Sequence, residues 1–143
     1  MKREEKYPET KYFKYYNANP KNRITGDCVF RAISNALDQT WEQTVMEMAE
    51  FSCKTGYAIN DKKGIERYLK SKGWVKYKQP RKEDGTKYTG KEFCEEIQTH
   101  RRWYEPQIVA MIGGHHIVSI MWGQVQDIWD CTNKTVGNYW MRS

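Results

Sequence analysis

The stretch Gly26-Asp27-Cys28-Val29-Phe30-Arg31-Ala32 decides the fold, because a turn leads here directly into an apolar helix. From Cys28 to about residue 37, apolar side chains recur at the i, i+3, i+4 spacing of a buried helix. This spacing predicts a central helix with Cys28 at its start. A helix N-terminus carries unpaired backbone N–H groups and the positive end of the helix dipole, and both favour a thiolate. The sequence therefore marks Cys28 as a candidate nucleophile.

Further helices are predicted after this one, and strands fill the last third of the chain. Thr40 and Gln43 have the spacing of a capping box, which opens a helix. The predicted helices are 41–53, 61–72 and about 89–99. The predicted strands are 74–78, 108–112, 117–122 and 125–130, and residues 135–141 are a further candidate strand. Helices first and an antiparallel meander last describe an α+β domain.

Length and composition favour one domain. At 143 residues the chain fits a single core, which we place at 25–143, preceded by a basic, aromatic N-terminal arm over residues 1–24. The arm has no apolar run, so neither a secretory signal nor a membrane span is expected, and a cytoplasmic location is. The four cysteines form no C-x-x-C pair, and no Cys/His pair has the spacing of a structural zinc site. We expect no disulfide framework, no metal and no cofactor.

A second motif, near the end of the chain, supplies an imidazole and a carboxylate. Gly114-His115-His116-Ile117-Val118-Ser119-Ile120 predicts a strand, and a tight reversal follows it before Asp127-Ile128-Trp129-Asp130. Neighbouring side chains of a strand point to opposite faces, so only one of the two histidines can face Cys28.

The position of the reversal selects the histidine and its carboxylate. A turn centred near Gly123 places His116 opposite Asp130, close enough for the carboxylate to hold an imidazole N–H. We therefore predict His116 as the general base and Asp130 as the group that orients it. His115 and Asp127 are the alternative pair if the turn shifts by one residue.

These motifs together resemble a known family. Gly-Asp-Cys-x-x-Arg-Ala at 26–32, Gly-His at 114–115, Asp-x-Trp-Asp at 127–130 and Gly-x-Tyr-Trp at 137–140 resemble, in order and spacing, small papain-like proteins common in bacteriophages and prophages. The resemblance covers about residues 22 to 140. It implies a papain-like fold with Cys28 opening the central helix, and its histidine spacing fits His116 better than His115. A phage-encoded protein would work in the cytoplasm of a bacterial host.

The resemblance also suggests which residues donate hydrogen bonds to the oxyanion. Papain-like enzymes pair the backbone N–H of the nucleophile with an upstream side-chain amide as oxyanion donors, and Asn22 is the candidate here, with Asn19 as runner-up. Asn22 departs from the glutamine of papain itself.

Three more residues are candidates for substrate binding. Asp27 could contact substrate or act as a helix N-cap. Arg31 could form a buried ion pair or bind a substrate carboxylate. Gly114 could admit a substrate backbone or simply make a turn.

The remaining cysteines have no such setting. We interpret Cys53 and Cys94 as packing residues, and Cys131, beside Asp130, as a residue that could approach the site without a catalytic part.

These features predict a thiol hydrolase, either a cysteine peptidase or an amidohydrolase, that acts on a protein, peptide or peptide-like amide through a thioester. The same groups also serve acyl transfer. The alternative from another class is a non-enzymatic binding protein on a papain-like scaffold, engaging a host protein or nucleic acid through its basic, tyrosine-rich surface. The net charge of +6 permits contact with nucleic acid without requiring it. No membrane partner is expected, and the oligomeric state stays open.

Overall fold

A six-stranded sheet forms the centre of the protein, and the computed structural model describes all 143 residues. The helices are α1 Arg3–Lys6, α2 Cys28–Ala36, α3 Trp41–Thr55, α4 Lys62–Ser71 and α5 Gly90–Thr99, with a 3₁₀ turn at Arg101–Trp103. The strands are β1 Phe13–Tyr15, β2 Trp74–Tyr77, β3 Gln107–Ile112, β4 His116–Met121, β5 Gln124–Asp127 and β6 Val136–Arg142. The α+β class is confirmed. No helix is both long and apolar enough to cross a membrane.

The sheet is mostly antiparallel, and its strand order is β1-β5-β4-β3-β6-β2. Strands β3, β4 and β5 form the predicted meander, each pairing with the next. The prediction that the meander continues into the last strand is wrong, because β6 returns to the free edge of β3. The outer edge of β5 is already taken by β1, the one parallel partner in the sheet.

The N-terminal arm supplies this edge strand. Phe13 is fully buried in the core, and its strand pairs with β5 from Val125 to Asp127. Part of residues 1–24 therefore belongs to the sheet, and it lies beside the strand that carries Asp127.

Two apolar layers hold the helices on opposite faces of the sheet. On one face, the apolar stripe of α2 packs against β3 and β4 together with residues of α3 and α4, including Ala32, Ile33, Met48, Leu69, Val109 and Ile117. On the other face, Phe93 and Ile97 of α5 pack against Val118 and Ile120. The first layer fixes α2, and with it Cys28, against the strand that begins at His116.

The hairpin between β4 and β5 has a two-residue turn. Met121 pairs with Gln124, and Trp122 and Gly123 both have positive φ angles, 56° and 76°. This is the combination of a type I′ turn, whose twist matches that of the flanking strands. The reversal is therefore centred half a residue before Gly123, and every cross-strand pair differs by one residue from the prediction.

The start of α5 carries a complete capping box, which gives a stability prediction. The Thr89 hydroxyl accepts the Glu92 N–H at 3.2 Å, and the Glu92 carboxylate accepts the Thr89 N–H at 2.9 Å. Thr89→Ala is expected to lower the free energy of unfolding by about 1 kcal/mol, measured by urea denaturation. Thr99→Ala, at the exposed last residue of the same helix, is the control. An equal loss in both variants would contradict the capping role.

Candidate active site

Cys28 is the first residue of α2, and the backbone N–H groups at this end of the helix are free. The N–H groups of Cys28 and Val29 have no acceptor within the protein. Asp27 occupies the N-cap position, yet its side chain makes no capping hydrogen bond. Asp27 therefore lies at the predicted N-cap position, but the predicted capping hydrogen bond of its side chain is wrong. The free N–H groups remain available to an anion at Cys28.

The Asp27 carboxylate is instead used inside the protein. It is only 4% exposed and accepts hydrogen bonds from Arg31 Nε at 2.8 Å, Asn19 Nδ2 at 3.0 Å and Trp41 Nε1 at 3.0 Å. Both oxygens are bonded, so the structure gives no opening for the predicted contact of Asp27 with substrate.

His116, at the first position of β4, is held by Asp127. The His116 Nε2 atom lies 2.5 Å from Asp127 Oδ2, and the side chain of Asp127 is 2% exposed. The His116 ring also contacts Trp129, with the ring centroids 5.2 Å apart. Because Asp127 takes Nε2, the Nδ1 atom is the one left for Cys28.

The predicted placement of Asp130 opposite His116 is wrong. In the observed register Gln126 pairs with Ser119, so Asp127 lies on the face that His116 shares, two residues along the neighbouring strand. The Asp130 carboxylate accepts the backbone N–H and the hydroxyl of Thr132, at 3.0 Å and 2.6 Å, in the turn that follows. Asp127, which belonged to the alternative predicted pair, thus binds His116, which belonged to the preferred pair.

Arg31 joins the two buried carboxylates. Its Nε binds Asp27, and its Nη1 lies 2.5 Å from Asp127 Oδ1, which also accepts the Ile128 N–H at 2.8 Å. At 7% exposure, Arg31 is not open to a substrate carboxylate. Of the two roles left open for it, the structure shows the buried ion pair. The i, i+4 spacing of Asp27 and Arg31 was the sequence signal for half of this arrangement.

Cys28 and His116 shift each other's pKa values. Burial alone would raise the pKa of Cys28, but hydrogen bonding and positive charge from His116, with the Ile117 N–H and the charge of Arg31, hold that pKa below its usual value. Burial alone would lower the pKa of His116, but Asp127 and Cys28 raise it to about 9. A thiolate paired with an imidazolium is favoured in the pH range between the two values.

The two asparagines proposed as oxyanion donors differ in position. Asn22 is exposed, has a positive φ of 54°, and accepts a hydrogen bond from Asn17 at 3.4 Å. Asn19 is buried, and its amide N–H donates to Asp27, the residue next to Cys28. The side chain of Asn19 is thus engaged in holding the turn before α2, and neither amide has a hydrogen bond to Cys28.

Gly114 lies in the turn between β3 and β4, with φ of 88°. It also lines a cavity of about 250 Å³ whose other walls include Val29 and Ile117, the residues that follow Cys28 and His116. Gly114 therefore makes the turn and also forms part of a cavity wall.

The other three cysteines differ in their environments, and one of them, Cys131, lies beside Asp127. Cys53 is exposed, so its interpretation as a packing residue is wrong, whereas Cys94 is fully buried as predicted. Cys131 is buried with its Sγ 3.9 Å from Asp127 Oδ2.

A metal ion would fit poorly at this place. Ligand atoms of His116, Asp127 and Cys131 lie within 4.8 Å of one another. However, the Asp127 oxygens already bind His116 and the Arg31 cation, and burial raises the pKa of the Cys131 thiol, which disfavours the thiolate that a metal needs. These groups are better described as a hydrogen-bonded cluster of His116, Asp127 and Arg31, with the Cys131 thiol beside it.

Comparison with known proteins identified no similar protein. No protein-family model, no curated protein and no solved structure matches the chain. The chemical interpretation of the site therefore depends on its geometry.

Proposed function

We propose that the protein is a papain-like thiol hydrolase, a cysteine peptidase or amidohydrolase, with Cys28 as nucleophile, His116 as general base and Asp127 as the residue that orients His116. One observation carries the proposal. A half-buried thiol with a lowered pKa interacts with an imidazole whose far nitrogen is bound, at 2.5 Å, by a buried carboxylate. At Cys94, by contrast, burial in apolar surroundings raises the pKa of the thiol.

In the acylation step, the Cys28 thiolate attacks the carbonyl carbon of an amide and a C–S bond forms. The proton that His116 took from the thiol passes to the amide nitrogen, the C–N bond breaks, and the amine leaves. The oxyanion of the tetrahedral intermediate is met by the free backbone N–H of Cys28 at the start of α2.

In the deacylation step, water attacks the thioester while His116 takes its proton. The C–S bond then breaks, the carboxylic acid leaves, and Cys28 regains its starting state with His116. Asp127 keeps the ring in place through both steps and stabilises the imidazolium. If an amine replaces water as the second nucleophile, the same residues perform acyl transfer.

The papain-like part of the proposal is supported by the arrangement of the elements. Cys28 opens a helix that packs on a mostly antiparallel sheet, His116 begins one strand, and Asp127 ends the next. This is the order of groups that the resemblance implied, with Asp127 in place of Asp130.

The direct test is the pH dependence of cysteine alkylation. Limiting iodoacetamide is applied to the native protein between pH 5 and 10, and modified cysteines are quantified by mass spectrometry. The pKa of Cys28 is lowered, so its labelling is expected to reach half of its maximum at a lower pH than that of an ordinary thiol. Cys53, exposed on α3, provides a reference thiol in the same sample.

A Cys28 profile that titrates at or above the Cys53 profile would contradict the proposal. If the profile is shifted as expected, a library of peptides from a denatured proteome is incubated with the wild type and with Cys28→Ala. New termini that appear with the wild type and not with Cys28→Ala identify hydrolysis and give its sequence preference.

A further inference from the structure

Two adjoining cavities form a groove near the starts of α2 and β4. The near cavity, of about 250 Å³, is lined by Val29 and Ile117, the residues directly after Cys28 and His116. The far cavity, of about 560 Å³, shares Lys62, Met111 and Gly114 with it. The combined space is in the range of ligand-binding clefts, and one end of it is formed by the sequence neighbours of Cys28 and His116.

The far cavity has a strongly one-sided charge. Lys62, Lys87 and Lys134 line it, and neither cavity has an aspartate or glutamate among its lining residues. None of these three lysines forms an ion pair within the protein, whereas Lys54, Lys72, Lys76 and Lys82 all do. Three uncompensated ammonium groups around one cleft raise the local concentration of an anionic ligand.

The walls of the far cavity are polar and are fixed by hydrogen bonds. Gln79 donates its amide N–H to the Val136 carbonyl at 2.7 Å, and Asn138 donates to the Tyr77 carbonyl at 3.2 Å. Met111 is the only apolar side chain in the lining, which contains no aromatic ring. Binding of single-stranded nucleic acid generally uses aromatic stacking platforms, so this lining favours a polypeptide.

We propose that this groove binds an acidic segment of a polypeptide, whose carboxylates lie among Lys62, Lys87 and Lys134. The segment enters the near cavity past Gly114, and its scissile amide then lies at Cys28. Binding of the acidic segment is independent of the hydrolase assignment. Only the cleavage of that segment rests on the proposed function.

The test is a binding measurement on the full chain with Cys28→Ser, which prevents turnover. A fluorescein-labelled eight-residue peptide that alternates Glu and Gly is compared by fluorescence anisotropy with a peptide in which Gln replaces every Glu. The glutamate peptide is expected to bind more tightly, with an affinity that falls as salt is added. The combined variant Lys62→Gln, Lys87→Gln, Lys134→Gln is expected to weaken that binding about tenfold, or about two- to threefold for each exposed charge pair.

A matched control separates the groove from the overall charge of the protein. Lys14, Lys21 and Lys70 are exposed and line neither cavity, and replacing all three with Gln changes the net charge by the same amount. This control variant is expected to change the affinity less than twofold. An equal loss in both triple variants, or equal binding of the glutamate and glutamine peptides, would overturn the proposal.

An oligonucleotide of similar charge is tested in the same assay. If it binds more tightly than the glutamate peptide and loses affinity in the groove variant alone, the ligand is a nucleic acid and the polypeptide assignment is wrong. Weaker binding of the oligonucleotide supports the polypeptide.

Protection of Cys28 links the groove to the site. Bound glutamate peptide is expected to slow the alkylation of Cys28 by iodoacetamide, a neutral reagent, and to leave Cys53 unaffected. No protection at saturating peptide would overturn the placement of the ligand in this groove. If Cys28 lacks a lowered pKa but is protected, the hydrolase proposal fails and the binding proposal stands. If Cys28 has a lowered pKa but is not protected by the peptide, the hydrolase proposal stands and the binding proposal fails.

Discussion

Arg31→Met is expected to lower the free energy of unfolding by about 3–5 kcal/mol, since it leaves two buried carboxylates without their cation. Asp27 and Asp127 are 4% and 2% exposed, and both bind the same guanidinium. Methionine has a similar length, so the loss reports the charge and its hydrogen bonds more than the packing volume. Urea denaturation followed by circular dichroism measures the change.

Two further variants make this result interpretable. Arg102→Met removes an exposed arginine that forms no ion pair, and it is expected to change stability by no more than about 0.5 kcal/mol. Arg31→Lys keeps the positive charge but cannot bind both carboxylates with a planar fork, so an intermediate loss is expected. If Arg31→Met proves as stable as Arg102→Met, the ion pair is not a structural element of the site.

His116→Ala is expected to produce the largest functional effect. Without the imidazole, burial raises the pKa of Cys28 unopposed by its main partner. A thiol with a pKa of about 8.5 is on the order of 0.3% ionised at pH 6. Alkylation of Cys28 at pH 6 should therefore fall about tenfold or more, even though a more basic thiolate is the better nucleophile.

Hydrolysis should respond more strongly than alkylation, because in the proposed mechanism His116 also moves the proton. Loss of a general acid–base residue typically costs about 10²–10⁴-fold in rate. In the wild type, hydrolysis should decline on the alkaline side near pH 9, where His116 loses the proton that the leaving amine needs. This alkaline limb is measured with a peptide substrate from the library experiment.

His115→Ala is the matched control for this prediction. His115 is adjacent in sequence, exposed, and lies in the turn before β4. Its removal should leave the pH profile of Cys28 alkylation unchanged. A change of equal size in the two variants would mean that Cys28 reactivity does not depend on a specific histidine.

The arrangement of charges also explains why the site can be both buried and ionic. Asp27, Arg31, Asp127 and His116 form one hydrogen-bonded series that ends at Cys28. Each buried carboxylate has a cation or a potential cation beside it, which offsets the cost of removing it from water. Arg31 of α2 binds Asp127 at the end of β5, so the series ties the helix that carries Cys28 to the strand that carries Asp127.

Local patterns in the sequence predicted most of the secondary structure. The apolar spacing after Cys28 predicted the start of α2 to the residue, and the capping spacing of Thr40 and Gln43 predicted the start of α3. These features depend on neighbours within one helical turn, which the sequence displays directly. The facing ends of the two predicted hairpin strands, at residues 122 and 125, each lie one residue from the observed ends at Met121 and Gln124.

The sequence could not decide which carboxylate faces His116. The choice between Asp127 and Asp130 depended on a turn whose two residues are Trp122 and Gly123, and a shift of one residue in register exchanges the faces of a strand. Tryptophan at a positive φ is unusual, so the composition of the turn did not signal its true position.

The sequence by itself determined a helix that begins at a cysteine, a histidine at the start of a strand and a nearby carboxylate in the following one. The tertiary structure alone decided that Asp127 holds His116, that Arg31 is shared by two buried carboxylates, and that Lys62, Lys87 and Lys134 line one cleft. The physical reason is the range of the interactions. Helices and turns form from residues close in the chain, whereas these ion pairs and the cleft join residues separated by tens of positions, which come together only when the sheet assembles.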